Sequence, residues 1–323
     1  MALTDLSGRM AIGIDIGGTN TKFGLVNHRG EILAKGSMKT DVHAEVESFI
    51  DELYHHLEPL IQQNGGMIMV EGIGVGAPNA NYYKGTIEQP PNLNWKGIIP
   101  FAELMSRKFG KPCTMTNDAN AAALGEMMYG AARGMRDFIM ITLGTGVGGG
   151  IISGGKLVYG HDGFAGELGH TIVKPGGRRH WSTGLDGTLE AYASATGITI
   201  TAKKMRAEFQ TSLLNEYSEE DINAKTVYDC ALKGDPTAIE VFRYTGQKLG
   251  EAFANFVMFS SPEAILLFGG VIKAGDFILK PAKEHMEQNL LPVFRNKVKL
   301  VLSELSEADA AILGASALVW TKG

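Results

Sequence analysis

The feature that most constrains this chain is an internal repeat, in which a glycine turn carrying a threonine joins two apolar segments. In the first copy, residues 10–16 have a strand pattern, Gly17-Gly18-Thr19 forms the turn, and a strand pattern then resumes. In the second copy, residues 138–143 run into the turn at 144–150, and a strand pattern returns at 151–158. Strand and turn signals in this order predict a β-meander. Two copies of one meander predict duplicated domains that face each other.

Helical and strand patterns alternate through the rest of the chain. Apolar residues recur at helical spacing between Ala44 and Asn64, and an alanine-rich segment that favours a helix follows Asn117. A buried strand is predicted at 264–268, and 308–320 is apolar on most faces, as expected of a buried helix. Further helices are predicted near 189–195, 199–209, 224–232, 236–260 and 281–289. The sequence therefore predicts an α/β fold.

Composition argues against several classes of function. The formal net charge is -5 and the pI is about 5.9, so the chain has no basic excess for binding nucleic acid. Two cysteines, Cys113 and Cys230, are too few for a disulfide framework, which favours a reducing compartment. The start lacks a signal-peptide pattern, and the longest apolar run, 264–272, is about half of the roughly 20 residues that a membrane helix needs. We therefore expect a cytoplasmic protein that binds neither nucleic acid nor membrane.

The glycine turns are candidate phosphate-binding loops. Such a turn frees backbone N–H groups to surround phosphate oxygens, while threonine hydroxyls and Lys22 add donors and a charge. The chain has no G-x-x-x-x-G-K-[ST] pattern, and the second turn leads into a strand, so neither a P-loop nor a Rossmann turn is predicted. As an alternative, the glycines merely close hairpins. Because two equivalent turns each carry a threonine, we favour phosphate binding.

Asp118 lies where a predicted strand meets a predicted helix, a position from which a side chain can project into a cleft. As an alternative, Asp118 caps the helix, since Asp and Asn are preferred at N-caps. The helix N-terminus would also keep the carboxylate ionised, which suits a residue that accepts a proton from a hydroxyl group. The two roles are compatible.

Glu167 and His170 follow a turn-rich segment and can face one site. A carboxylate accepts hydrogen bonds and an imidazole donates or accepts them, which suits recognition of neighbouring hydroxyl groups. A surface pair, or a pair behind the ligand contacts, is an equal alternative.

Taken together, these residues resemble the ROK family of sugar kinases and regulators, within the actin-like ATPase superfamily, and look most like its bacterial glucokinases. The resemblance covers nearly the whole chain. It is carried by Asp15-Ile-Gly-Gly-Thr-Asn-Thr-Lys22, Gly72-Ile-Gly-Val-Gly-Ala-Pro78, Thr116-Asn-Asp-Ala-Asn120, Leu143-Gly-Thr-Gly-Val-Gly148, Gly166-Glu-Leu-Gly-His170, Gly187-Thr-Leu-Glu190 and Phe268-Gly-Gly-Val271. It implies two duplicated ribonuclease H-like domains of the actin and hexokinase type, with mixed β-sheets, flanking helices and a cleft between them. The implied domains are a smaller one at 1–118, to which the helix at 306–323 returns, and a larger one at 119–305.

The resemblance also implies a reaction, the transfer of the γ-phosphate of MgATP to the 6-hydroxyl of a hexose. Glucose is the hexose that it favours. Asp118 is then the general base, Asn117 holds a neighbouring hydroxyl, and Asp15 positions Mg²⁺ through water. Other implied sugar-binding residues are Asn92, Glu167, His170 and Glu190. The implied nucleotide-binding residues are Gly17, Gly18, Thr19, Asn20 and Lys22 in one phosphate loop, Thr145 and Gly146 in the other, and Gly269 and Gly270 near the adenosine. A homodimer is implied as well.

One departure from the family concerns zinc. Many members bind structural zinc through the histidine at position 170 and three cysteines, but those three positions are Trp181, Thr183 and Thr188 here. His180 is the nearest other nitrogen ligand, and one or two imidazoles are a poor substitute for four tetrahedral ligands. We therefore expect no structural zinc, so packing and hydrogen bonds must orient His170 and Glu190. Trp181 is expected either as a buried anchor of this loop or at a subunit interface.

Other functions stay open. A sugar-responsive transcriptional regulator would carry a DNA-binding domain ahead of the kinase fold, whereas the first phosphate loop here begins at Asp15. A non-catalytic sugar-binding relative fits the missing zinc ligands but not the intact Asp118 and phosphate loops. An actin-like filament ATPase would leave Glu167, His170 and Glu190 without a role. Among kinases, mannose, fructose, N-acetylglucosamine and N-acetylmannosamine remain alternatives to glucose.

Overall fold

The structure, a computed structural model, describes residues 8–90, 92–306 and 308–321. In these ranges the strands are β1 (Met10–Ile16), β2 (Asn20–Asn27), β3 (Ile32–Lys39), β4 (Val70–Gly76), β5 (Ala80–Asn81), β6 (Thr86–Glu88), β7 (Ile98–Ile99), β8 (Cys113–Thr116), β9 (Phe138–Leu143), β10 (Val147–Ser153), β11 (Lys156–Leu157), β12 (Ala264–Phe268) and β13 (Lys299–Leu302). The helices are α1 (Val46–Gln63), α2 (Phe101–Phe109), α3 (Asp118–Tyr129), α4 (Glu190–Ala193), α5 (Ala195–Glu208), α6 (Ala224–Leu232), α7 (Pro236–Ser260), α8 (Asp276–Asn289) and α9 (Ala310–Trp320).

The chain divides into two compact units, each built on a five-stranded sheet. Among the described residues, the first unit is formed by those at 8–135, 157–166 and 303–321, and the second by 136–156 and 167–302. Their sheets have the orders β3-β2-β1-β4-β8 and β11-β10-β9-β12-β13. In each sheet, three consecutive strands are followed by two strands that join in parallel. The predicted duplication and the mixed α/β class are therefore confirmed.

The spacing of apolar residues predicted several helices correctly. The amphipathic pattern at 44–64 forms α1, which buries Phe49, Leu53 and Leu57 on one face. Helices α6 and α7 and strand β12 occupy the predicted ranges. None of the helices in the described ranges combines the length and apolar composition that crossing a bilayer requires.

Helix α9 packs against β1, β4 and α3 through backbone contacts that only glycine permits. A Cβ at Gly13 would lie 2.2 Å from the Ile312 oxygen, and one at Gly74 would lie 1.8 Å from the Ala315 oxygen. In the same way, a Cβ at Gly125 of α3 would lie 2.9 Å from the Gly314 Cα. Because α3 packs on α9, the first compact unit runs past residue 118, where the sequence placed the domain boundary, and extends to residue 135.

Helix α8 begins at Asp276, whereas the sequence predicted its start at Pro281. Pro281 instead lies inside the helix and faces α7, since a Cβ at Gly246 would lie 2.7 Å from the Pro281 Cγ. A proline inside a helix removes one backbone hydrogen bond. The close packing of α8 against α7 offsets that loss, which a local pattern does not reveal.

The α9 contact makes a prediction for stability. Gly74→Ala is expected to lower the free energy of unfolding by about 3 kcal/mol or more, because its Cβ would overlap a backbone oxygen that moves only with α9. Gly134→Ala is the matched control, since φ there is +85 but nothing lies within 4 Å of the added Cβ. That change should cost about 1 kcal/mol from backbone strain alone. Urea denaturation followed by circular dichroism measures both losses, and equal losses would contradict the α9 contact as described.

Candidate active site

Parallel strands of the first unit end at one edge of its sheet, and two predicted site segments follow them. Strand β1 leads into Gly17-Gly18-Thr19, and β8 leads into Asn117 and Asp118. Gly76 ends β4, which lies between β1 and β8. A Cβ at Gly76 would lie 3.7 Å from Asp15 Oδ1 and 3.8 Å from the Asp118 Cα. The fold thus brings together Asp15 and Asp118 on either side of Gly76.

The first glycine turn is tight and leaves its polar side chains exposed. Gly17 N–H donates to the Asn20 oxygen at 3.1 Å, and both Thr19 and Asn20 are exposed. Gly18 lies against Asn92, because a Cβ at Gly18 would be 2.7 Å from the Asn92 oxygen. Asn92, predicted from the resemblance alone, is therefore a neighbour of this turn. Lys22 on β2 pairs in register with Asp15 on β1.

Burial raises the pKa of both acids, and the charge of Asp118 adds to the rise at Asp15. Burial, then the negative charge of Asp118, raises the pKa of Asp15 to about 6, and Lys22 acts in the opposite direction. The Asp118 side chain is exposed, yet the density of protein around it desolvates the carboxyl and raises its pKa. The Ala119 N–H, which donates to Asp118 Oδ1 at 2.8 Å, works against that rise. A carboxylate with a raised pKa is a better proton acceptor, and paired acids favour a bound cation.

Asp118 is not the helix cap that the sequence offered as an alternative. The N-cap of α3 is Asn117, whose Oδ1 accepts from the Asn120 N–H at 2.7 Å. Asp118 is the first residue of the helix, and its Oδ1 accepts from the Ala119 N–H of the first turn. The Asn117 oxygen also serves the backbone, and a sugar contact by Asn117 would have to come from its amide nitrogen.

The second glycine turn and the end of β12 line a cavity within the second unit. Strands β9 and β12 are parallel neighbours, and Gly269 after β12 has φ of +111 and a Cβ direction blocked by the Leu143 oxygen at 2.4 Å. A cavity of about 560 Å³ opens there, lined by Gly144, Thr145 and Gly270. This volume lies in the range of small-molecule sites. Residues of α6 also line it, among them Lys225, Tyr228 and Asp229.

Glu190 and the segment 168–170 both lie against Val147, the first residue of β10, which begins earlier than the predicted strand at 151–158. Glu190, the first residue of α4, accepts from the Val147 N–H through Oε2 at 2.7 Å. A Cβ at Gly169 would lie 2.1 Å from the Val147 oxygen, so the short helix at 168–170 also lies against this residue. His170 Nε2 is 3.9 Å from Glu167 Oε2, and the Glu167 side chain is 58% exposed.

The three positions at which the resemblance implies zinc-binding cysteines are occupied here by side chains with other contacts. Thr183 Oγ1 lies 3.0 Å from His180 Nδ1, and Thr188 Oγ1 accepts from the Ala191 N–H at 3.3 Å. Trp181 stacks on the His180 ring at 4.2 Å and is 46% exposed, so it is not the buried anchor that the sequence allowed. Across the part of the chain that the structure describes, no three His, Cys, Asp or Glu side chains form a metal-binding group. Hydroxyl and indole groups do not fit a tetrahedral zinc site.

The predicted site residues fall into two groups, one in each unit. Those of the first unit are Asp15, Gly17, Gly18, Thr19, Asn20, Lys22, Asn92, Asn117 and Asp118, and those of the second are Thr145, Gly146, Glu167, His170, Glu190, Gly269 and Gly270. Sequence reasoning missed the cavity residues of α6, because an amphipathic helix gives no sign of which polar residues border a cavity. It considered His180 only as a nitrogen ligand for zinc. The absence of cysteines at 181, 183 and 188 was the available signal that another residue must orient Glu190.

Comparison with known proteins places these residues in a family. The ROK family matches residues 11–322. A glucokinase of Halalkalibacterium halodurans is 37% identical over 97% of this chain and 96% of its own length. A ROK family glucokinase from Streptomyces griseus, solved in complex with glucose and AMPPNP, superposes with a TM-score of 0.77 and 32% identity, over 96% of this chain and 98% of that one.

Transcriptional repressors are similar as well. The xylose repressor of Caldicellulosiruptor bescii is 28% identical over 95% of this chain, which corresponds to 77% of the repressor. Three findings agree: the fold has duplicated sheets, the family match covers nearly the whole sequence, and the chain is more than 30% identical to glucokinases. This chain belongs to the ROK family.

Proposed function

We propose that this chain is an ATP-dependent sugar kinase that transfers the γ-phosphate of MgATP to the 6-hydroxyl of a hexose, with glucose as the preferred substrate. The observation that carries the proposal is the position of Asp118, an exposed acid of raised pKa, beside Asp15 and at the sheet edge where the first glycine turn begins. Glucokinases among its relatives support the choice of sugar.

Asp118 is the general base in this proposal. Its Oδ1 is held by the Ala119 N–H, so we assign the proton of the sugar 6-hydroxyl to Oδ2. As the hydroxyl oxygen attacks the γ-phosphorus, its proton passes to this carboxylate, and ADP leaves on the opposite side. Phosphoryl transfer of this kind depends mainly on positioning and charge neutralisation. The raised pKa of Asp118 suits it to take up that proton.

The nucleotide is assigned to residues of each unit. In the first unit, the N–H groups of Gly17 and Gly18, the Thr19 and Asn20 side chains and the Lys22 ammonium are assigned to phosphate oxygens. In the second unit, Thr145 and Gly146 are assigned to phosphate, and the cavity beside Gly269 and Gly270 to the adenosine. Mg²⁺ usually takes one or two carboxylates together with substrate phosphates, and Asp15 fits that need. When bound, Mg²⁺ neutralises phosphate charge.

The sugar hydroxyls are assigned to Glu167, His170, Glu190, Asn92 and Asn117. The groups of these residues donate and accept hydrogen bonds, as recognition of a hexose requires. Kinases of mannose, fructose, N-acetylglucosamine or N-acetylmannosamine would use the same reaction. We expect the enzyme to act in the cytoplasm as a homodimer that needs no nucleic acid.

A regulatory sugar-binding protein is the second candidate, favoured by the 28% identity to a xylose repressor. Such a protein would bind sugar without consuming ATP. A comparison of hexose binding with hexose-dependent ADP release separates the two.

Replacing the base tests the proposed chemistry. Asp118→Asn should lower kcat with glucose by about 10²- to 10⁴-fold, the usual contribution of a positioned base. The fold should persist, because Asp118 is exposed at the start of α3. Steady-state kinetics with a melting curve measures both quantities, and Asp276→Asn, an exposed acid on α8, is the control. Transfer at the wild-type rate by Asp118→Asn would refute the assignment.

The raised pKa of Asp15 predicts how stability depends on pH. An acid whose pKa rises from 3.8 to about 6 on folding stabilises the fold fully below pH 4, and this contribution is lost as pH rises through 6. Asp15→Asn should therefore raise the free energy of unfolding by up to about 3 kcal/mol at pH 7.5, but by no more than about 1 kcal/mol at pH 4.5. It should also raise the KM for MgATP.

Thermal melts at the two pH values measure this difference. Asp51→Asn is the control, because the Lys108 ammonium lowers the pKa of Asp51 and no stabilisation is expected from its removal. Equal destabilisation by Asp15→Asn at both pH values would contradict the account.

A further inference from the structure

His180 is a buried histidine that uses both ring nitrogens within its own loop and toward Glu190. Its side chain is 0% exposed, and Nε2 lies 2.6 Å from Glu190 Oε1. On the other side of the ring, the Thr183 N–H points at Nδ1 from 3.2 Å and the Thr183 Oγ1 lies 3.0 Å away.

These contacts determine which ring nitrogen carries the proton. A backbone N–H can only donate, so the Nδ1 that receives the Thr183 N–H is unprotonated. The neutral ring then carries its proton on Nε2, which donates to Glu190 Oε1. The loop that follows His180 thereby selects the tautomer that binds the Glu190 carboxylate.

Glu190 is held from two sides as a result. His180 Nε2 donates to Oε1, and the Val147 N–H donates to Oε2 at 2.7 Å. Each carboxylate oxygen has a further lone pair with which to accept from a ligand hydroxyl. Both oxygens are thus fixed in place before a ligand arrives, which lowers the ordering cost of binding.

Hydrogen bonds and ring contacts anchor the loop that carries His180. Arg178 donates to the Ala191 oxygen at 2.6 Å and to the Gly197 oxygen at 2.9 Å, and its guanidinium lies 4.8 Å from the Tyr192 ring centre. Backbone bridges pair Arg179 with Asp186 on either side of the turn. Trp181 covers the His180 ring.

We propose that His180 is a positioning residue for sugar binding, which holds Glu190 through hydrogen bonds where the residues at 181, 183 and 188 provide no zinc ligands. The inference rests on the proposed function, since it takes Glu190 as a sugar-binding residue. His180 itself is buried behind Glu190 and does not touch the sugar.

Substitutions at position 180 separate the hydrogen bond from the packing. His180→Leu removes both ring nitrogens, whereas the amide nitrogen of His180→Gln reaches about as far as Nε2. Loss of a hydrogen bond to a charged group corresponds to roughly a tenfold to hundredfold change in an equilibrium constant. We expect His180→Leu to raise the glucose Kd and KM by that factor with the KM for MgATP within about twofold, and His180→Gln to restore most of the affinity. His55→Leu, an exposed histidine of α1, controls for the substitution type.

A double-mutant cycle distinguishes positioning from a general loss of structure. In a Glu190→Ala background, His180→Leu should change the glucose Kd less than twofold, because the group that it positions is gone. Equal losses with and without Glu190, an unchanged glucose Kd in His180→Leu, or no rescue by His180→Gln would each overturn the proposal. So would zinc bound stoichiometrically to the purified protein. If His180→Leu does not fold, the comparison of His180→Gln with His180→Asn, whose amide is too short to reach Glu190, decides the question in the same way.

Calorimetric titration with glucose keeps this test separate from the kinase assignment. Wild-type protein that binds glucose without ADP release would refute the proposed function while the Kd values still test His180. Wild-type protein that binds no hexose would overturn both.

Discussion

The parallel pairing of β1 with β4 and of β4 with β8 is the constraint on which the candidate chemistry depends. Parallel neighbours end at the same edge of a sheet, so the residues that follow them become neighbours although they are far apart in sequence. Asp15 and Asp118 meet there across Gly76, where an added Cβ would contact both residues. Helix α9 maintains this arrangement, because it packs directly on the backbone of β1 and β4 at Gly13 and Gly74. The duplicate sheet repeats the principle with β9 and β12, whose ends border the cavity.

Electrostatics at this edge favours ligand binding over stability. Burial and the proximity of two acids raise the pKa of Asp15. The ionised carboxylate therefore destabilises the folded state when no cation is bound. Glu190 in the second unit differs, since hydrogen bonds from His180 and Val147 satisfy its carboxylate in advance. The charge of Asp15 would thus be neutralised by a bound cation, whereas the Glu190 carboxylate is oriented before any ligand binds.

Much of this organisation could be predicted from local patterns, and the rest depended on contacts between distant residues. Glycine turns, the spacing in α1 and the apolar run of β12 are local signals, and each identified its element. The predicted start of α8 was wrong because Pro281, taken as the first residue of the helix, lies inside it and packs against α7 beside Gly246. Asn117 and Asp118 are adjacent, and either residue type can cap a helix, so the sequence did not reveal that Asn117 is the N-cap and Asp118 the first residue of α3. The contribution of Tyr228 to the cavity and of His180 to Glu190 arises only from tertiary packing.

Hexose phosphorylation by the purified chain is the measurement that tests the central claim most directly. ADP release with MgATP would be followed against a panel of hexoses, with the phosphorylated carbon assigned by ³¹P NMR and zinc quantified in the same sample. The account predicts ADP in equal amount to glucose 6-phosphate, no release without sugar, and no bound zinc. Glucose binding without any phosphorylated sugar would contradict it and identify a protein that binds sugar without catalysing transfer.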